Sequence, residues 1–307
     1  MVVYDSNFLK HKVDGFFETP LRFSKEDMKI IFLGTGNTLG GVYRAKSSVV
    51  LIAAGEIFLI DCGCGVIQRM LAKSIAPSNI SKIFFTHHHT DHNGGFLDYF
   101  ITSSLNRTNS GRKVPVEVFG PDNSKEVISK MRESIESDVV SRHSVDDSWS
   151  NIIINELNDG EIYNRNGLVA NVFTVNHGSY KPSVGFKFEY NKVKIVFSGD
   201  TSPNENVLSA SENADILVHE SYNKNWILAS IDQNPEDEGT LKSVMLKHTS
   251  TIEVSKIAKA AAVKHLVLTH HIPSPLPLKK IEQQYINGMS KIFSGKITVS
   301  RDLMEIS

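Results

Sequence analysis

The segment Thr86-His87-His88-His89-Thr90-Asp91-His92 places four histidines and an aspartate within six positions. Imidazole and carboxylate are the ligand types that zinc and similar divalent metals take, and one ion needs three or four of them converging on a point. At a spacing of two in extended chain, His87 and His89 point the same way and His88 points to the other side. Asp91 and His92 lie past the turn and could face a second ion. Asn93-Gly94-Gly95 predicts a sharp backbone turn after them. A lone His-X-His would read as a polar loop. Here the cluster follows the apolar run 82–86, and ligand-type residues recur downstream at the ends of other apolar runs. These are His177 before Gly178, Asp200 in Ser-Gly-Asp-Thr, and His270 in Leu-Val-Leu-Thr-His. Strand ends are where open sheets present their ligands.

The elements that must position these residues can be read from the patterning. Short apolar runs predict strands over 29–34, 48–53, 57–61, 82–86, 114–119, 152–156, 169–175, 184–189, 193–198, 216–219, 265–269 and 296–299. Amphipathic spacing predicts helices over 66–73, 124–136, 251–263 and 278–293, with Ser124 as an N-cap candidate. Residues 138–150 and 221–247 read as polar loop, the second as a flap. Two sheets packed face to face, with helices outside, suit this order. The fold class expected is therefore α/β (α+β), a four-layer sandwich over residues 29–307 as a single domain. Residues 1–28 read as an extension that packs on the domain or on a partner subunit.

With 40% hydrophobic and 22% charged residues among 307, the chain can bury a large core. No apolar run reaches the roughly 18 residues of a membrane span. The 33 basic residues balance 34 acidic ones, a net charge of −1, so no global basic field draws in a polyanion. The start of the chain lacks a basic head followed by an apolar run, so no secretory signal is read there. Cys62 and Cys64 cannot form a disulfide framework. A cytoplasmic protein is the expectation.

With these motifs in view, the chain resembles the metallo-β-lactamase-fold hydrolases, and within them the ribonuclease Z and arylsulfatase-like phosphodiesterase branch. The resemblance rests on the His-X-His-X-Asp-His loop and on Leu-Gly-Thr-Gly at 33–36, Asp-Cys-Gly-Cys-Gly at 61–65 and Ser-Gly-Asp-Thr at 198–201. It rests also on His-Glu-Ser at 219–221, Lys-His-Thr-Ser at 247–250 and Leu-Thr-His at 268–270. It implies an αββα sandwich and two divalent ions, zinc by preference, with manganese or iron as alternatives. One ion would be held by His87, His89 and His177, the other by Asp91, His92 and His270, with Asp200 bridging. His271 is a competing ligand candidate, but Leu-Thr-His matches the family at His270. Asp61 would orient a ligand histidine, and Cys62 and Cys64 would only pack. The activity implied is hydrolysis of a phosphodiester, an aryl sulfate or a small organic ester by a hydroxide between the ions, positioned by Asp91 and Asp200. His248 would serve as general acid or electrophile, oriented by Glu220. The bland readings are helix-cap chemistry around His248 and a strand-end ion pair between His219 and Glu220.

His177 and Asp200 are only 23 positions apart, and two strands fill that interval, so no tRNA-gripping arm fits there. With the near-zero net charge, nucleic acid is thus disfavoured as a partner and a small molecule expected. An apolar wall from Phe96, Leu97, Tyr99 and Phe100, or from Tyr222 and Trp226, would suit such a substrate. The first group fits a plain amphipathic helix equally well. A lactonase or β-lactamase is the competing carbonyl chemistry, tRNA 3′ processing is the disfavoured alternative, and a metal-binding protein without catalysis is the alternative from another class. A homodimer is expected only at the level of the family.

Overall fold

The computed structural model describes residues 23–25, 27–104, 111–142 and 150–307. Most of the proposed extension therefore lies outside the described residues. In chain order the elements are β1 Lys29–Gly34, β2 Ser48–Ala53, β3 Glu56–Ile60, α1 Val66–Ala72, β4 Lys82–Phe84, α2 Thr90–Asn93, α3 Phe96–Ser104 and β5 Val116–Gly120. Then follow α4 Ser124–Ser134, α5 Glu136–Arg142, β6 Ile152–Glu156, β7 Gly160–Arg165, β8 Leu168–Thr174, β9 Val184–Tyr190, β10 Val193–Phe197, α6 Glu205–Ala210 and β11 Ile216–Tyr222. The chain closes with α7 Lys224–Gln233, α8 Glu238–Lys247, α9 Thr251–Ala260, β12 His265–Ile272, α10 Lys279–Tyr285, β13 Lys296–Val299 and β14 Glu305–Ile306.

The strands form two mixed seven-stranded sheets, ordered β14-β1-β2-β3-β4-β5-β6 and β13-β12-β11-β10-β9-β8-β7. This is the expected four-layer sandwich. Alternation along β1 shows why its apolar run is unbroken. Ile30 and Phe32 enter the core between the sheets, whereas Ile31 and Leu33 enter a second core under α1 and α3. A strand covered on both faces needs apolar residues at every position. A third core lies outside the other sheet, where Val254 and Ala258 of α9 pack with Leu217, Leu266 and Tyr285. At the centre of the inter-sheet core, Phe84 stacks on Phe119 with ring centroids 4.7 Å apart and meets Phe188 edge-on at 5.3 Å.

Several expectations are corrected. The 221–247 segment is not loop but two helices. Asn223 starts the first by accepting from the Trp226 amide at 3.0 Å, and Asn234-Pro235 interrupts the run. The helix expected over 278–293 stops at Tyr285, because Gly288 takes a left-handed φ of 91° and leaves only a tight turn over Met289–Lys291. Residues 138–142 are helical rather than loop, as part of α5, and 143–149 lie outside the described residues. Ser124 is the first residue of α4, not its cap. Asn123 precedes the helix at φ 76°, and the Ser124 hydroxyl donates to the Pro121 carbonyl at 2.6 Å. Strands β7 and β14 escaped the patterning, since β7 is largely exposed and β14 has two residues. Among the described residues, no helix is long and apolar enough to cross a membrane.

Candidate active site

The site forms where both sheets end on the same side. Its base is Asp61, which leaves β3 with a left-handed φ of 56°. Its carboxylate accepts from the Thr86 amide at 2.8 Å and contacts His92 Nδ1 at 2.7 Å. That anchors the histidine loop to the neighbouring strand and turns the other nitrogen of His92 into the site. The expected turn falls at Gly94-Gly95, between α2 and α3, but its geometry is not what requires glycine. Gly94 has an ordinary helical φ of −64°, so no unusual turn is made there. A Cβ on Gly95 would stand 2.4 Å from the Gly63 carbonyl, and one on Gly63 would stand 2.5 Å from the Asp91 carbonyl. Close approach of two backbones, not turn geometry, requires them.

His87 Nε2 lies 3.0 Å from His89 Nδ1, and His177 Nε2 lies 3.3 Å from the same atom. His270 Nε2 is 3.2 Å from Asp91 Oδ2. Asp200 Oδ2 is the hub, 3.3 Å from His270, 3.4 Å from His92 and 4.0 Å from both His87 and His177. All seven residues named from the sequence as metal ligands thus converge; their ligand atoms fall in overlapping close sets, among them His87, His89 and His177, Asp91, His92 and His270, and His87, His92 and Asp200, while Asp200 also joins His177 and His248. His88 turns away to the Ser124 hydroxyl at 2.7 Å. Cys62 is buried and Cys64 exposed, and neither joins a ligand group among the described residues.

His270 reaches the site through a bulge. Glu220 of β11 pairs with Thr269 and Ser221 pairs with His271, so His270 is the extra residue, at a left-handed φ of 44°. A bulge re-aims a side chain that the regular pleat would send elsewhere. His271 resumes the pleat and approaches the Ser300 carbonyl at 3.1 Å instead.

Burial pushes the imidazoles of His87, His89 and His177 toward the neutral form, His89 to about 4. Neutral imidazole is the ligand form. Burial works against ionising Asp91 and Asp200, but the surrounding histidines outweigh it and hold both below the ordinary carboxylate range. His92 Nε2 is buried with no hydrogen-bond partner. An orphaned nitrogen facing two carboxylates, within groups of ligand atoms all less than 4.8 Å apart, fits divalent ions.

Glu220 and His248 sit at the edge of the cluster. Glu220 Oε1 is 3.2 Å from His248 Nδ1 and accepts from the amides of Thr201 at 3.2 Å and Thr249 at 3.0 Å. His219 does not pair with that carboxylate; its Nδ1 meets the Glu220 carbonyl at 2.6 Å. The helix-cap reading holds at Ser250, which lies two residues after His248 and forms a capping box with Glu253. Three contacts had no signal in the spacing. Thr38 donates to Asp91 Oδ2 at 3.0 Å, the Lys247 carbonyl lies 3.2 Å from His177 Nδ1, and the Tyr180 ring lies 3.9 Å from that of His89.

The expected apolar walls are absent from the cleft over this cluster. Phe96, Tyr99 and Phe100 are buried in the outer core under α3, and Tyr222 is buried too. Trp226 lines a separate cleft with Gln283 and Asn287. One side of the site cleft is instead a face of α8 that presents Thr240, Ser243 and Lys247.

The sandwich and its converging histidines and aspartates define a metal-dependent hydrolase of the metallo-β-lactamase fold. The chain belongs to the family described as anti-Pycsar protein Apyc1, whose model matches residues 28–233. It is 29% identical over 282 residues to the ribonuclease Z of Mycolicibacterium paratuberculosis (strain ATCC BAA-968 / K-10), covering 91% of this chain and 98% of that one. Among solved structures, human tRNase Z, short form, is similar at a TM-score of 0.66 and 25% identity, over 91% of this chain and 99% of that chain. The metallo-β-lactamase fold protein YhfI from Bacillus subtilis is similar at a TM-score of 0.69 and 16% identity, over 91% of this chain and 98% of that chain. These relatives do not support setting nucleic acid aside as a partner. The physical reason is that net charge averages over the whole surface, whereas a polyanion meets only a local patch.

Proposed function

We propose that the protein hydrolyses phosphodiesters, with His87, His89 and His177 holding one divalent ion, Asp91, His92 and His270 a second, and Asp200 facing both. Bound there, the two ions would polarise a phosphoryl oxygen and supply a water acidic enough to attack near neutral pH. Asp91 and Asp200 offer carboxylate oxygens beside that position to orient the attacking water.

The observation that carries the reading is the placement of His248. Its ring lies beside the cluster, with centroids 4.9 Å from His177 and 5.5 Å from His270, and it lines the cleft. Glu220 occupies Nδ1, which leaves Nε2 for a ligand. Burial favours the neutral ring in the free protein. An anionic diester entering the cleft adds negative charge beside the ring and so favours the imidazolium. The imidazolium then gives its Nε2 proton to the departing oxygen, while Glu220, whose carboxyl pKa burial and Asp200 push up, holds Nδ1 and so orients the ring. Neutral carbonyl substrates such as lactones bring no such charge into the cleft, which is why the phosphodiester is preferred over them.

The test is hydrolysis of bis(p-nitrophenyl) phosphate by protein loaded with zinc or manganese. His248→Ala is expected to lower kcat about 10²–10⁴-fold at unchanged metal content. Glu220→Gln is expected to lower it about tenfold or more, since the amide keeps the shape but holds His248 Nδ1 more weakly than the carboxyl group does. Absence of turnover at full metal loading would refute the reading and direct the search to aryl sulfates, lactones and β-lactams. A second reading, 3′ processing of tRNA precursors, is favoured by the mycobacterial relatives named ribonuclease Z, and cleavage of a precursor transcript by the same preparation tests it.

A further inference from the structure

The site cleft has a volume of about 480 Å³, and among the described residues Lys247 is the one lysine or arginine lining it. Thr240, Ser243 and Lys247 are spaced by three and four on α8, so they share one face of that helix. The stem of Lys247 is seated rather than loose. A Cβ on Gly178 would stand 2.7 Å from its Cγ, 3.4 Å from Cδ and 3.5 Å from Cε. The missing side chain at 178, at a left-handed φ of 65°, is thus the groove in which the lysine lies, directly beside His177. The cation has no carboxylate partner among the described residues, whereas Lys242 on the same helix pairs with Glu238 at 2.7 Å. A half-buried lysine, pinned in a cleft and left without an anion, is arranged for an anion that arrives.

We propose that Lys247 is the anion-reading residue of the cleft, binding a non-transferred phosphoryl oxygen of the substrate and selecting charged diesters over neutral esters. This inference rests on the phosphodiesterase reading above. The competing account is purely structural, because Lys247 lies in the last turn of α8, where a cation suits the helix dipole. The two accounts differ in what substitution moves. A dipole role changes helix stability and leaves KM and its salt dependence alone.

The experiment compares wild type with Lys247→Met, which keeps the stem over Gly178, and with Lys247→Arg, which keeps the charge. Neither touches the backbone carbonyl that meets His177. With metal-loaded protein and bis(p-nitrophenyl) phosphate, Lys247→Met is expected to raise KM about tenfold and to change kcat by less than about threefold. It is also expected to flatten the rise of KM with salt, and Lys247→Arg is expected to restore most of the loss. Inorganic phosphate binding to the same metal-loaded proteins, followed by calorimetry, is expected to weaken in parallel. Equal KM and equal phosphate affinity in Lys247→Met and wild type would overturn the proposal. If wild type turned over no diester, the phosphodiesterase reading would fall, and the phosphate titration would still decide the role of Lys247.

Discussion

His270 and His271 are adjacent in the chain and serve opposite ends of one strand's surroundings. Nε2 of His270 lies 3.3 Å from Asp200 in the site, while Nε2 of His271 lies 3.1 Å from the Ser300 carbonyl in the interior. The bulge opposite Glu220 and Ser221 separates them. His270→Ala is therefore expected to cost bound metal, read as a fall from two ions per chain by elemental analysis. His271→Ala is expected to leave metal content intact and to lower the unfolding midpoint instead. Equal metal loss in both variants would contradict the assignment.

Asp61 touches His92 from behind, so its effect on the metal is indirect. Asp61→Asn keeps the shape but weakens the hold on His92 Nδ1. Metal affinity is expected to fall about 10–100-fold, the usual cost of losing such an orienting partner. Competition with a chelator measures it, and unchanged affinity would remove Asp61 from the site.

Phe84 is fully buried between the sheets and packs against Phe119, Phe186 and Phe188. Phe84→Ala is expected to destabilise the fold by about 3–5 kcal/mol through lost burial and a residual cavity. Denaturant unfolding followed by circular dichroism checks this.

His265 at the start of β12 has its imidazole lowered to about 4, first by burial and then by Lys296. The unfolded chain takes up the proton near 6.5. A folded value below the unfolded one means that the stabilisation is present above pH 6.5 and is lost as pH falls toward 4. His265→Gln, which retains a polar partner for Thr298, is expected to show a shallower loss of stability between pH 7 and pH 5 than wild type. An identical slope in urea midpoints would exclude His265 from the acid response.

Much of this protein was readable because its chemistry is local. His87, His89, Asp91 and His92 lie in one six-residue stretch, and the sheet-buried runs around Ile30–Leu33 and Ile83–Phe85 announce themselves by unbroken hydrophobicity. The ends of the runs 169–175, 193–198 and 265–269 marked His177, Asp200 and His270. The character of the cleft wall was not readable. Phe96, Tyr99 and Phe100 have the same spacing whether a helix turns them to a cleft or to a core, and only packing on Ile83 and Phe85 of the first sheet turned them inward. The 221–247 segment reads as loop because Asn223, Asn225 and the run Asn234-Pro235-Glu236-Asp237-Glu238-Gly239 are turn-forming residues. Its first helix, α7, rests on the Asn223 cap and on packing of Trp226 and Ile227 on the layers beneath. The sequence by itself determined which residue types gather and at which strand ends, because those follow from period and composition. Which of two neighbouring histidines enters the site, and which lysine faces the cleft, was decided only by tertiary structure, because a bulge and the empty seat at Gly178 depend on strands and helices distant in sequence.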